Sequence, residues 1–253
     1  GRVNLIGEHT DYNEGFVLPM AIDKDIIMLA QLREDQEVRV YSLDYNREVI
    51  FSLLDLEFEK EDFWANYLKG VIDELQKMDY YLPGMNIIFT GNIPIGSGLS
   101  SSAALEVVTA YTIATLNELD IQPVEMALLC QRAENNFVGV NCGIMDQYVS
   151  RLGKKGQALL IDCRSNEYEL VPFDNEDYQV VICNSKVERG LVDSEYNQRR
   201  AECEKAVRYF AGKLDHRILA LRDVTIEELE KEAAGLGELT KRRARHVITE
   251  NNR

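Results

Sequence analysis

Between an apolar segment ending at Phe89 and an apolar run from Ala103, the chain reads Thr90-Gly91-Asn92-Ile93-Pro94-Ile95-Gly96-Ser97-Gly98-Leu99-Ser100-Ser101-Ser102. Two glycines two apart, three successive serines and then helical spacing predict a strand, a tight loop and a helix, in that order. Glycine lets a backbone turn and approach a ligand closely. The exposed N–H groups at a helix N-terminus attract anions. A serine hydroxyl there can cap the helix or ligate Mg²⁺. The run therefore reads either as a phosphate cradle or as a glycine-rich turn with a serine cap. It is not G-x-x-x-x-G-K-[ST]. Nor is it G-x-G-x-x-G, because Ser101 stands where the third glycine would fall.

The charge balance narrows the ligand. Among 253 residues, 28 Lys and Arg face 43 Asp and Glu, a net charge of −15. Such a chain has no general attraction for phosphate backbones, which argues against nucleic acid as a partner. A bound nucleotide would need a local device and a divalent metal. Hydrophobic residues at 45% are ordinary for a globular chain and exclude disorder. Cys130, Cys142, Cys163, Cys183 and Cys203 are odd in number, widely spaced and form no C-x-x-C pair. They read as reduced thiols of a cytoplasmic protein. Three histidines leave no His-rich zinc site. No run approaches the roughly 18 apolar residues of a membrane span, so no membrane partner is expected. The chain opens on Gly1 within an apolar phrase, without Met or signal peptide, which reads as a piece of a longer protein.

A nearly continuous apolar run predicts a strand at 26–32, alternation predicts one at 38–41, and 48–53 is a further strand candidate. Helical spacing predicts a helix over 63–78 with Tyr67, Val71, Ile72 and Leu75 facing inward. Pro83-Gly84 breaks the chain before a strand at 85–89. The helix after the loop runs to 117, with Ala104, Val107, Val108, Tyr111 and Leu116 inward. Pro123 opens a helix that continues to 136. Further strands are expected at 158–161, 168–171 and 180–183, and charged helices from about 193. Alternating strands and helices predict an α/β or α+β protein. A composition shift near 185–195 divides it into residues 1–190 and 191–253.

Four other places carry chemistry. The opening Gly1-Arg2-Val3-Asn4-Leu5-Ile6-Gly7-Glu8-His9-Thr10-Asp11-Tyr12 packs a cation, two carboxylates and an imidazole around a short strand. Such a mixture suits a polyol, whose hydroxyls both donate and accept, although an edge strand with scattered charges would look the same. Glu134 lies beside an apolar helix face, as a salt-bridge carboxylate also would. Asp146 follows Gly143-Ile144-Met145, where a helix start favours an acidic residue in any case. Tyr196 and the lone Trp64 suit either a ligand or a core.

Residues 94–104 resemble the second motif of the GHMP kinases, P-x-x-x-G-L-[GS]-S-S-A-[AS]. The opening phrase is similar to the galactokinase signature G-R-x-N-[LI]-I-G-E-H-x-D-Y. Gly143-Ile144-Met145-Asp146-Gln147 and Ser194-Glu195-Tyr196-Asn197-Gln198-Arg199-Arg200 resemble two further galactokinase phrases. The resemblance implies a GHMP-kinase-like two-domain fold: an N-terminal mixed sheet with helices, then the start of a C-terminal α+β domain.

It also implies site roles. Asp146 and Arg2 would be catalytic. Glu8, His9, Asp11, Gly143 and Tyr196 would bind galactose. Gly96, Ser97, Gly98, Leu99, Ser100, Ser101, Ser102, Ala103 and Trp64 would bind ATP. Ser101 or Ser102, with Glu134 twelve positions before Asp146, would hold Mg²⁺. Thr10 would favour galactose, because N-acetylgalactosamine kinases more often place an apolar residue there. The implied activity is phosphorylation of the anomeric hydroxyl of galactose by a monomer. The alternatives are an N-acetylgalactosamine kinase and a non-catalytic galactose- and ATP-binding sensor. The family's third, glycine-rich motif is absent, so the sequence reads as the N-terminal two-thirds of such a kinase. Val207, Phe210 and Leu214 are then expected to lack full packing partners.

Overall fold

The structure, a computed structural model, describes all residues except 95, 174–178, 185 and 187–191, and the side chains of 192–195 are left aside. Along the chain run β1 (Arg2–Asn4), β2 (Phe16–Val17), β3 (Pro19–Ala21), β4 (Ile26–Leu32), β5 (Glu37–Ser42) and β6 (Arg47–Ser52). Next come α1 (Ala65–Lys77), β7 (Met85–Gly91), α2 (Ser101–Leu116), α3 (Pro123–Arg132) and α4 (Met145–Leu152). The chain finishes with β8 (Gln157–Asp162), β9 (Glu167–Pro172), α5 (Val192–Ala211), α6 (Ile226–Glu232) and α7 (Glu238–Asn252).

Two sheets result. One orders its strands β4-β7-β5-β6, with β5 and β7 parallel and the other pairs antiparallel. Val38, Val40, Val49, Phe51, Met85, Ile87 and Phe89 point inward from it and pack against Leu68, Ile72 and Leu75 of α1, and against α2 and α3. Burying each such side chain contributes about 1.5–3 kcal/mol. Ile26 and Met28 of β4 join that core, whereas Ile27 and Leu29 face outward. In the other sheet β8 pairs β9 on one side and β2 and β3 on the other, with β1 beyond β3. There Tyr148 and Val149 of α4 pack on Val17, Leu159 and Ile161.

Four expectations need correcting. Tyr111 points outward from α2, its ring under the Arg151 guanidinium, while Glu106, Thr109 and Ala110 take the inner face. An apolar run without strong asymmetry does not tell which side is inner. The helix begun at Pro123 stops at Arg132 and continues as a π-helical turn, Ala133–Val138, closed by Gly139 at φ 86°. Residues 180–183 form no strand: Val180, Val181 and Ile182 are exposed, and β-propensity without a neighbouring strand is insufficient. Phe210 is fully buried, in a cluster with Leu221, Leu229, Val247 and Ile248 of the C-terminal helices, and Val207 and Leu214 pack against it. The helices α5 to α7 thus cover one another. The composition shift near 185–195 falls largely outside the described residues.

Candidate active site

The loop from β7 to α2 turns on three residues of positive φ: Gly96 at 68°, Gly98 at 77° and Ser100 at 60°. The third explains the sequence pattern. A left-handed residue immediately before the helix favours glycine, and a serine there is strained. Its hydroxyl does not cap α2; it donates to Asp146 Oδ2 at 2.5 Å. The Ser100 side chain therefore leaves the first N–H groups of α2 uncapped, the kind of helix start that suits an anion.

Arg2 joins this loop to the start of α4. Its Nε and Nη2 donate to the two oxygens of Asp146 at 2.6 and 2.9 Å, and Nη1 donates to the Gly98 carbonyl at 2.7 Å. The Arg2 backbone N–H donates to Leu99 O at 3.2 Å. A guanidinium can do this because its donors form a rigid fork. The result is a carboxylate held on the phosphate loop by one cation and one hydroxyl.

On the far side of Asp146 lies the opening phrase. The tight turn Asp11–Asn13 follows His9, which is itself at φ 66°. A Cβ placed on Gly143 would fall 1.9 Å from Asp11 Oδ2. The Gly143 N–H donates to the Tyr196 hydroxyl at 3.3 Å. The rings of Tyr12 and Tyr196 meet edge to face at 5.3 Å, and the Tyr12 hydroxyl pairs with His9 Nδ1 at 2.8 Å. Burial pushes the Asp11 carboxyl up to about 7, and the neighbouring Asp146 charge adds to the effect. Burial, then Arg199, lowers the His9 imidazole. Glu8 is exposed, and its Oε1 accepts from Asn4 Nδ2 at 2.9 Å. Neutral and acidic acceptors, an imidazole and aromatic edges thus surround one place.

A pair of buried carboxyls lies behind. Gln147 Nε2 donates to Glu134 Oε2 at 2.7 Å and to Glu106 Oε2 at 3.0 Å. Burial pushes Glu134 up to about 7, and Glu106 is raised well above its usual range by burial and then by Glu134. Ser102 also bonds Glu134, and Cys142 Sγ donates to it at 3.2 Å. Glu106 Oε1 is buried without a hydrogen-bond partner. Two buried acids and an orphaned oxygen beside the loop before α2 fit a divalent cation. Among the described residues no three His, Cys, Asp or Glu side chains form a cage. Mg²⁺ on a nucleotide takes only one or two protein carboxylates.

Most sequence-predicted residues therefore converge. Asp146, Arg2, Gly98, Leu99 and Ser100 form one contact set, and Asp11, Gly143, Tyr196 and His9 form another. Glu134 meets Ser102, whereas Ser100 is turned to Asp146. Trp64 is placed differently. It is 4% exposed, stacked on Tyr45 and edge-on to Phe89, in the core beneath the four-stranded sheet, so its ring faces are taken by protein. The Thr10 side chain is fully buried, and its hydroxyl lies 2.8 Å from Gly7 O and 2.6 Å from Phe16 O within its own loop, with one proton to donate to either, so it faces no sugar. Glu106, Gln147 and Tyr12 escaped the sequence reading. Glu106 carried a signal: a charge inside the apolar run Ala103–Val108, one turn after Ser102.

This fold, with a serine-rich loop at the start of α2 and a carboxylate fixed on it, defines a GHMP kinase. Residues 66–154 match the GHMP kinase N-terminal domain, and residues 1–32 match the galactokinase galactose-binding signature. The chain belongs to the galactokinase family. Its structure is similar to that of Lactococcus lactis galactokinase complexed with galactose, with TM-score 0.94 at 39% identity. That match covers 100% of this chain and 66% of the other, so the chain spans a little under two thirds of that relative. Methanococcus jannaschii mevalonate kinase, at 18% identity and TM-score 0.58, covering 99% and 77% of the two chains, shares the fold. So does a D-glycero-D-manno-heptose 1-phosphate kinase of Bacteroides thetaiotaomicron, at 18% and 0.58, covering 70% and 58%.

Proposed function

We propose that the protein phosphorylates the anomeric hydroxyl of galactose with ATP, giving galactose 1-phosphate in the cytoplasm. The observation that carries this reading is the Arg2–Asp146–Ser100 contact, which ties the phosphate loop to the sugar side. The match of residues 1–32 to a galactose-binding signature supports galactose over N-acetylgalactosamine, as does the galactose bound by the Lactococcus lactis relative. A sensor would need binding alone. A carboxylate locked at the phosphate loop is what proton removal needs, and it favours an enzyme.

In this mechanism positioning and charge do most of the catalytic work. Glu8, His9 and Asp11 orient the sugar hydroxyls, and Tyr196 fixes the Gly143 backbone beside them. Asp146 accepts the proton of the anomeric hydroxyl. Arg2 keeps that carboxylate aimed with two donors and brings positive charge to the loop. The N–H groups at the start of α2 hold phosphate oxygens. Ser102 and Glu134 would hold Mg²⁺, which when bound neutralises phosphate charge. ADP release measured with galactose, N-acetylgalactosamine and glucose tests the proposal. Equal turnover of all three, or none, would overturn it.

A further inference from the structure

The turn Gly7–Asp11 is held from behind by a helix more than 200 residues away in sequence. Glu250 of α7 has an 8% exposed side chain, and its Oε1 accepts from the backbone N–H of Gly7 at 2.9 Å and of Glu8 at 3.2 Å. One ring nitrogen of His246, Nε2, meets the Glu8 carbonyl at 2.9 Å, and only a protonated nitrogen can donate there. Asn251 Oδ1, one residue beyond Glu250, accepts from the Phe16 N–H at 2.9 Å. Both backbone polar groups of Glu8 are thus taken by α7, while the Glu8 side chain stays exposed towards the sugar site.

The loop needs such support. Gly7 is at φ 99°, His9 at 66° and Glu14 at 57°, and the last two are not glycines. Backbone held in this region persists only where surrounding structure over-determines it. Two successive N–H groups converging on one carboxylate oxygen form an anion-binding concavity, here filled by the protein's own Glu250. Burial alone would raise that carboxyl, but the Gly7 and Glu8 N–H groups, then the neighbouring Arg253 and His246, together outweigh it and hold it below its usual range. The anionic form is therefore what the loop binds.

We infer that Glu250, seconded by His246, is a positioning residue for sugar recognition: α7 sets the place of the Glu8 carboxylate and the His9 ring without touching the sugar. This rests on the reading of residues 7–11 as the sugar site.

The test separates sugar from nucleotide. Glu250→Ala should raise KM for galactose by about 10- to 100-fold, the scale of losing hydrogen bonds to a charged group. KM for ATP should stay within about twofold, since the Glu250 carboxylate meets Gly7, Glu8 and Arg253 rather than residues 96–102. Glu250→Gln keeps an acceptor oxygen and should restore most of the affinity. Should Glu250→Ala not fold, His246→Ala, which loses the bond to the Glu8 carbonyl and the edge-to-face contact with the His9 ring, carries the same KM comparison. Amide hydrogen exchange at 7–16 should quicken in either alanine variant, a readout independent of turnover. An unchanged KM for galactose, or an equal rise in both KM values, in a folded variant overturns the inference. A wild-type protein without galactose-dependent ADP release overturns the proposed function instead, and exchange at 7–16 then decides the role of Glu250.

Discussion

Gly143 and Asp11 lie in van der Waals contact across the sugar side of the site, so closely that a methyl group on Gly143 would fall 1.9 Å from Asp11 Oδ2. No side chain fits there. Gly143→Ala must push away a carboxylate that the turn Asp11–Asn13 holds on a short tether. Overpacking of this kind costs about 1–3 kcal/mol. Displacement of Asp11 should raise KM for galactose about tenfold or more, since 1.4 kcal/mol is tenfold, with KM for ATP nearly unchanged. Steady-state kinetics in each substrate checks this.

Asp11 gives the proposed sugar site a pH dependence. Its carboxyl is raised to about 7, first by burial and then by Asp146. Below that pH the free site holds a proton on Asp11; above it the carboxylate is ready to accept from a sugar hydroxyl. Galactose affinity should therefore improve as pH rises from 6 to 8 and level off above. Titration calorimetry across that range reads it directly. An Asp11→Asn variant should bind weakly and show no such slope.

The Glu106–Glu134 pair has the opposite consequence for stability. Both carboxyls are raised in the fold, so the folded protein keeps protons that the unfolded chain releases near pH 4.5. Stability is full below that pH and falls as pH rises through about 7, where like charges are forced together. Glu106→Gln removes one of them. Without Mg²⁺, the variant should melt at a higher temperature than wild type at pH 8, and the gap should close towards pH 5. Thermal unfolding in the presence of a chelator measures it.

Trp64 separates packing from nucleotide binding. It lies between Tyr45 and Phe89 in the core. Trp64→Ala should destabilise the fold by about 3–5 kcal/mol, as large aromatic truncations do. Trp64→Phe should cost less and leave KM for ATP within about twofold of wild type, well short of the 1–3 kcal/mol lost when a base-stacking aromatic is removed. Denaturant melts and ATP kinetics on the two variants distinguish the roles.

Much of this was legible in the sequence, for identifiable reasons. β4 follows from a nearly continuous apolar run, β5 from alternation and α1 from helical spacing, and tertiary contacts did not override them. The loop before α2 and Asp146, which the structure brings together, were singled out by the phrases that resemble GHMP-kinase and galactokinase motifs. Glu106 and Gln147 were hidden because a buried acid pair is made by two distant segments meeting, which no local spacing encodes. The π-helical turn that carries Glu134 inserts one extra residue per turn, and helical periodicity does not foresee it. The clamp of Glu250 on Gly7 spans 243 positions and leaves no local trace. Trp64 is ambiguous in the sequence because an aromatic in a matching phrase looks the same whether it stacks on a base or packs on Tyr45, and the structure shows the packing.

The last prediction concerns Ser100, where strain and function oppose each other. At φ 60° its backbone would be relaxed by glycine, while its hydroxyl donates to Asp146 Oδ2 at 2.5 Å. Left-handed backbone at a residue other than glycine costs about 1–3 kcal/mol. Ser100→Gly should therefore raise thermal stability or leave it unchanged, while removing one of the three donors that hold Asp146. The fall should appear in kcat: about fivefold to tenfold, the scale of one lost hydrogen bond of about 1–1.5 kcal/mol, with Arg2 still in place. Ser100→Ala keeps the strain and loses the donor, so it should be worse on both counts. Melting temperature and kcat measured together on the two variants separate the effects. If Ser100→Gly kept full kcat, the hydroxyl would have no part in aiming Asp146, and the serine would be no more than a strained substitute for glycine.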